Sequence, residues 1–220
     1  MLKKYLSNKT INLLEYYSTL NINNYFSNDI IKSKQQSYIN KENLVSELFK
    51  EINNQLNIKK NNNFFFRGNP DSKIMILGGC PYDDDIKNQE ILSGSRGELL
   101  SKMLSSISLE KDKYYLSNIY FDQDININNK HNFYKDILIK HLKIIKPQYI
   151  LLLGEIASNF FSNSNKKILD IHGKWDSIVI NKEKFITFTT FDPESLLKEP
   201  KNKRLSWEDL KKFRNKIIKG

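Results

Sequence analysis

From Phe64 onward the apolar residues of this chain follow two alternating spacings. "KIMILGG" (73–79), "KYYLSNIY" (113–120) and "QYILLLG" (148–154) are nearly continuous apolar runs, and "WDSIVINKEKFITFTTF" (175–191) holds two more around Asn181-Lys182-Glu183. Such runs predict strands buried on both faces. Between them the spacing turns helical. "GELLSKMLSSIS" sets Leu100, Met103, Leu104 and Ile107 on one face, and "FYKDILIKHLKII" ends at Lys146-Pro147, where proline cannot continue a helix. "EIASNFF" is a short helix, and "SWEDLKKFRNKII" closes the chain with Ser206 as N-cap and Glu208-Asp209 in its first turn. Strands alternating with helices predict an α/β fold, a three-layer α/β/α arrangement around a mainly parallel sheet.

Residues 1–62 break this rhythm and are expected to form an N-terminal helical extension to a domain spanning 63–220. "INLLEYYSTL" is one helix. "ENLVSELFKEINNQL" is a second, with Leu44, Val45, Leu48, Phe49, Ile52 and Leu56 on one face, and "KKNNN" (59–63) is a polar break. These helices are expected to pack on the main domain.

Composition narrows the function classes. No apolar run approaches the roughly 18–20 residues of a membrane span, and no apolar stretch follows the charged start "MLKKYLSNKT" as in a signal peptide. A single cysteine, Cys80, excludes an internal disulfide and a cysteine-built metal cluster. A cytoplasmic monomer is the expectation. The net charge of +10 favours a polyanionic partner such as nucleic acid, although a codon bias toward Lys, Asn and Ile would leave a similar charge.

In parallel sheets, ligands sit beyond the C-terminal ends of the strands. Those ends carry "GGCPYDDD", "SNIY", "LGE" and "FDPESLL". Gly78 and Gly79 allow close backbone approach to a ligand. Asp83, Asp84 and Asp85 are either a water- or Mg²⁺-positioning group or a solvated helix start. Asn118 offers a donor and an acceptor for the edge of a base, or a structural bond to a loop. The histidines His131, His141 and His172 lack metal-ligand spacing; His141 falls in an apolar helix, His131 in an Asn-rich loop, and His172 before a Gly173 turn. Asp192-Pro193 halts a strand and restarts a helix. From Lys198 the chain carries nine Lys or Arg against three acidic residues, a balance suited to phosphates or to a solvated helix face.

Taken in order, "KIMILGGCP", "GSRGELLSKML", "YYLSNIY", "IKPQYILLLGEIAS", "IHGKW" and "TTFDPESLLKEPKNKRLSWEDLKKF" resemble the motifs of the uracil-DNA glycosylase superfamily. The nearest likeness is to its family 4 branch, the phage-polymerase-related type, over about Asn62 to the C-terminus. The resemblance implies extrusion of a deoxyuridine and hydrolysis of its N-glycosidic bond, with DNA carrying uracil or other damage as partner. By motif position, Gly78, Gly79, Cys80 and Pro81 line the substrate, Asn118 reads the base, and Leu92 takes the place of the aromatic that stacks on uracil. Pro193, Leu196 and Leu197 match the loop that enters DNA, and Lys198, Lys203 and Arg204 would meet phosphates.

The motifs also depart from the family pattern. The water-positioning Glu falls on Gly79, the final Gly of the first motif on Tyr82, and the catalytic His on Asp192. The four cysteines that hold a 4Fe-4S cluster in this branch are missing, so no cofactor and no metal are expected. On this reading Asp192 stands at the glycosidic bond, and Asp83 or Asp84 replaces the Glu. Two other readings stay open at this point: a DNA-binding relative without catalysis, and a metal-dependent nuclease or phosphatase using Asp83–Asp85.

Overall fold

A computed structural model describes residues 28–56, 65–123, 127–162, 165–180 and 182–219. The helix expected at 11–20 and the break expected at 59–63 lie outside these residues. Six strands form one sheet: β1 (Phe66–Gly68), β2 (Ile74–Gly78), β3 (Tyr115–Asn118), β4 (Tyr149–Leu153), β5 (Trp175–Ile180) and β6 (Glu183–Thr190), in the spatial order β1-β3-β2-β4-β6-β5. The four inner strands are mutually parallel, and β1 and β5 pair antiparallel at the two edges.

Side chains alternate across this sheet, so successive residues of one strand serve opposite cores. Met75 and Leu77 join Tyr115, Ile150 and Leu152 on one face. That face is covered by α1 (Asn28–Leu56), α4 (Ile127–Ile145) and α5 (Gly154–Ser162). Ile74 and Ile76 join Leu116, Leu151 and Phe188 on the other face. There α3 (Gly94–Ser106) contributes Leu100 and Leu104, and α8 (Lys203–Lys219) contributes Leu210 and Phe213. The expected three-layer α/β/α fold with a mainly parallel sheet is the observed one.

Helix α1 runs well upstream of the apolar stripe that marks it. Its Val45, Leu48, Phe49 and Ile52 belong to the first core, where Phe49 stacks on Phe65 at 4.5 Å. Lys41 bonds the carbonyls of Pro70 and Ile145, which fixes α1 to the main domain. His131 lies within α4, not in a loop, and its ring packs 4.6 Å from that of Phe160. His141 is structural as expected: it is fully buried and shares a 2.7 Å hydrogen bond with the Tyr115 hydroxyl.

The closing helix starts earlier than Ser206. Pro200 opens a 3-10 turn, Pro200–Asn202, that feeds directly into α8. Ser206 is therefore an interior helical residue, buried against Thr190 with 3.3 Å between the hydroxyl oxygens. Asp209 is likewise no first-turn residue: it is buried, accepts a hydrogen bond from Thr190 at 3.0 Å, and pairs with His172. Among the described residues no helix is long and apolar enough to cross a membrane.

Candidate active site

Parallel strands bring their C-terminal ends to one edge of the sheet. Gly78 of β2 is in register with Asn118 of β3, and Leu153 of β4 with Thr190 of β6. The segments leaving β2, β4 and β6 surround a cavity of about 470 Å³. Its walls include Gly79, Cys80 and Tyr82 after β2, Gly154 and Glu155 after β4, and Asp192 after β6. That volume lies within the usual range for small-ligand sites.

Asp192 is the N-cap of α7 (Pro193–Lys198) and accepts a hydrogen bond from the Glu194 amide at 2.8 Å. Pro193 at the first helical position needs no such partner, so Asp-Pro is a well-matched helix start. The same carboxylate lines the cavity, and capping therefore does not remove it from the site. Burial pushes its pKa above the usual carboxylate range, while the Arg96 guanidinium and the Glu194 amide act in the opposite direction.

Beyond β4, and off the cavity wall, Gly78 of β2, Asn118 of β3 and Leu92 form a second group. Asn118 is buried, and its Oδ1 has no hydrogen-bond partner among the described residues. A Cβ on Gly78 would stand 2.3 Å from that oxygen and 3.7 Å from Leu92 Cδ1. A residue without a side chain is thus what gives the Asn118 amide its place. Leu92 is fully buried at φ 49°, a left-handed conformation.

The three consecutive aspartates do not converge. They open α2 (Asp83–Asn88), where successive side chains point about 100° apart. Asp83 is exposed and accepts from Gln123 at 2.7 Å; Asp84 is exposed beside Gly94. Neither lines the cavity with Asp192. Asp85 turns inward, accepts from the amides of Ser93 at 2.7 Å and Tyr82 at 3.0 Å, and pairs with Arg96. The metal-dependent reading loses its basis here, since these carboxylates face different ways and the buried one is already paired.

Arg96 is a residue beside the site that the sequence did not reveal, and it joins Asp85 and Tyr82, which the motifs had named in other roles. Arg96 is buried and sits 3.9 Å over the Tyr82 ring, which lines the cavity. A basic residue in a helix's first turn opposes the helix dipole. That local conflict was the available signal for Arg96.

The model for the Uracil DNA glycosylase superfamily matches residues 65–211. This chain belongs to the uracil-DNA glycosylase superfamily. It is 26% identical over 160 residues to the type-4 uracil-DNA glycosylase of Sulfurisphaera tokodaii, an alignment covering 69% of this chain and 73% of that protein. It is also 26% identical to the type-4 enzyme of Archaeoglobus fulgidus over 66% of this chain and 77% of the relative. The type-4 enzyme of Thermotoga maritima is 26% identical over 74% of this chain and 88% of its own length.

The iron–sulfur cluster of the type-4 branch does not fit this member of the superfamily. Such a cluster is held by Cys thiolates, typically four. This chain has one cysteine, and burial pushes the Cys80 thiol up to about 11, away from the ligating thiolate form. Among the described residues no group of three His, Cys, Asp or Glu side chains could hold a metal ion.

The residues assigned by motif position to the DNA-entering loop divide in this superfamily member. Pro193 and Leu196 are buried and point into the protein, because α7 packs them inward. Leu197 is 38% exposed, and Lys198, Lys203 and Arg204 are exposed. Lys198 pairs with Glu194 across one helical turn at 3.2 Å. Behind the loop, the His172 ring packs 4.8 Å from that of Phe191, which lines the cavity.

Proposed function

We propose that this chain is a DNA glycosylase of base excision repair that hydrolyses the N-glycosidic bond of uracil or another deaminated base. The observation that carries this reading is a superfamily fold whose strand ends bring two groups to one edge of the sheet: Asp192 on the cavity wall after β6, and the Gly78–Asn118 pair on β2 and β3, on the far side of β4. DNA is the partner, and the enzyme acts as a monomer in the cytoplasm.

A base must leave the duplex stack to enter such a cavity. Asn118 is the residue proposed to read its edge, because its buried Oδ1 has no hydrogen-bond partner among the described residues, although it lies off the cavity wall. The bond from the sugar's anomeric carbon to the base nitrogen then breaks, and its electron pair goes to the base. This leaves an oxocarbenium-like sugar and an anionic base. Water bonds to the anomeric carbon, and its proton is released toward the Asp192 carboxylate.

The superfamily's catalytic His donates a hydrogen bond to the departing base, and losing such a donor costs about 3–4 kcal/mol of transition-state stabilisation. An ionised Asp192 cannot donate. It supports the other half of the charge separation, the cationic sugar and the attacking water. Asp83 and Asp84, exposed and off the cavity wall, receive no step in this scheme.

A second reading, DNA binding without catalysis, is favoured by one observation: the Asp192 carboxylate already serves as a helix cap. The two readings separate when oligonucleotides carrying uracil, hypoxanthine or xanthine are incubated with the protein and free base is measured by mass spectrometry. Base release supports the glycosylase. DNA binding with no base released from any substrate sinks it.

A further inference from the structure

The buried Arg96–Asp85 pair lies behind Tyr82, a residue of the cavity wall. Removing two charges from water costs several kcal/mol per ion unless hydrogen bonds compensate. Asp85 is well compensated by the Tyr82 and Ser93 amides and by Arg96. Arg96 is 4% exposed, is bound to Asp85, and lies 3.9 Å over the Tyr82 ring. Tyr82 in turn lines the same cavity as Asp192. The order is therefore Asp85, Arg96, Tyr82 ring, cavity, Asp192.

We propose that Arg96 is a positioning residue of the base-excision reaction, the fixed positive charge set against Asp192 from behind the Tyr82 ring. This inference rests on the glycosylase reading above. It assigns the site an anion and a cation where the superfamily pattern has a hydrogen-bond donor. Asp192 faces the cationic sugar, and against the burial that raises its pKa Arg96 favours the charged form of that carboxylate.

The other charged and titratable groups around Asp192 come from every segment at the cavity. They are Cys80, Tyr82 and Asp85 from the β2 side, Glu155 after β4, Lys167 before α6 (Ile168–Ile171), and Glu194, Lys198 and Glu199 from α7 and its end. Among charges, Arg96 acts most strongly on Asp192, and Asp85 is the weakest of those named against it. Neutralising the whole Arg96–Asp85 pair therefore leaves a net loss of positive support for the Asp192 anion.

The test uses the full chain carrying Asp85→Asn together with Arg96→Gln, which places two amides where the ion pair stood, and separately Arg96→Lys, which keeps the charge. Asp192 is titrated by carbon-detected NMR, and the rate of base release is followed against pH. The proposal expects the Asp192 titration in the neutral pair to rise by about one pH unit, with Arg96→Lys close to wild type. The acid limb of the rate profile should rise with it, giving about a tenfold loss of kcat at its acid end and little change in KM. An unchanged Asp192 titration in the folded neutral pair overturns the proposal. If the neutral pair fails to fold, Arg96→Lys decides: loss of the acid limb's position despite retained charge overturns it. A wild-type protein that releases no base sinks the glycosylase reading, and the NMR titration then decides the role of Arg96 alone.

Discussion

The Gly154 backbone and the Asp192 side chain meet across the ends of β4 and β6 with no room for another atom. Gly154 has φ +81°, and a Cβ placed on it would stand 2.8 Å from the Asp192 Cβ. The glycine is thus required both by its conformation and by the carboxylate it faces. Gly154→Ala should lose about 1–2 kcal/mol from the left-handed backbone alone. Asp192 should also move, so base release should fall further than stability does. Urea unfolding and a single-turnover rate on the same preparation check this.

Capping and chemistry at Asp192 are separable. Asn caps a helix as well as Asp, whereas Ala does not. Asp192→Ala should therefore cost about 1 kcal/mol of stability, offset in part by removing a buried carboxyl, while Asp192→Asn should keep or raise stability. Chemical denaturation of the two variants at neutral pH gives the comparison.

His141 predicts a pH dependence of folding. Burial lowers its pKa from 6.5 to about 3, so the folded chain holds it neutral while the unfolded chain takes up a proton. The stability due to this group is fully present above about pH 6.5 and is lost as pH falls toward 3. The slope approaches about 1.4 kcal/mol per pH unit. His141→Leu should lower stability at neutral pH by leaving the Tyr115 hydroxyl unpartnered, and it should flatten the acid slope. Denaturant midpoints measured from pH 7 to pH 4 test both effects.

Lys203 and Arg204 are exposed at the start of α8. If they meet phosphates, each substitution to Ala should weaken DNA binding without regard to sequence and reduce the salt slope by about one. Fluorescence anisotropy over a range of salt concentrations reads this directly.

Much of the fold was legible because its strands are buried on both faces. A run such as "YILLL" leaves little alternative, and Lys146-Pro147 marks where the preceding helix must stop. The edge strand Phe66–Gly68 was missed, since three residues carry too little pattern to be seen. Ser206 was misplaced because a good N-cap residue is equally at home inside a helix when a buried hydroxyl partner, here Thr190, awaits it. Asp192 was singled out through the superfamily resemblance, since its position between a strand and a proline-started helix by itself marks only a helix cap. The roles of Arg96 and Tyr82 were not legible, because they arise from contact across a loop, and Asp85 differs from its neighbours Asp83 and Asp84 only in the direction it faces. Leu196 and Leu197 show the same limit: adjacent identical residues, one buried and one 38% exposed.

The central claim is that the sheet edge carrying Asp192 on its cavity wall and Asn118 two strands beyond β4 breaks an N-glycosidic bond. The most direct measurement is the single-turnover release of uracil from an oligonucleotide by the wild-type chain, Asp192→Asn and Asn118→Ala, each checked for folding and DNA affinity. The account predicts release by the wild type and a loss of about a hundredfold or more in each variant, with DNA affinity retained. Release unchanged in Asp192→Asn, or its absence from the folded, DNA-bound wild type, would contradict it.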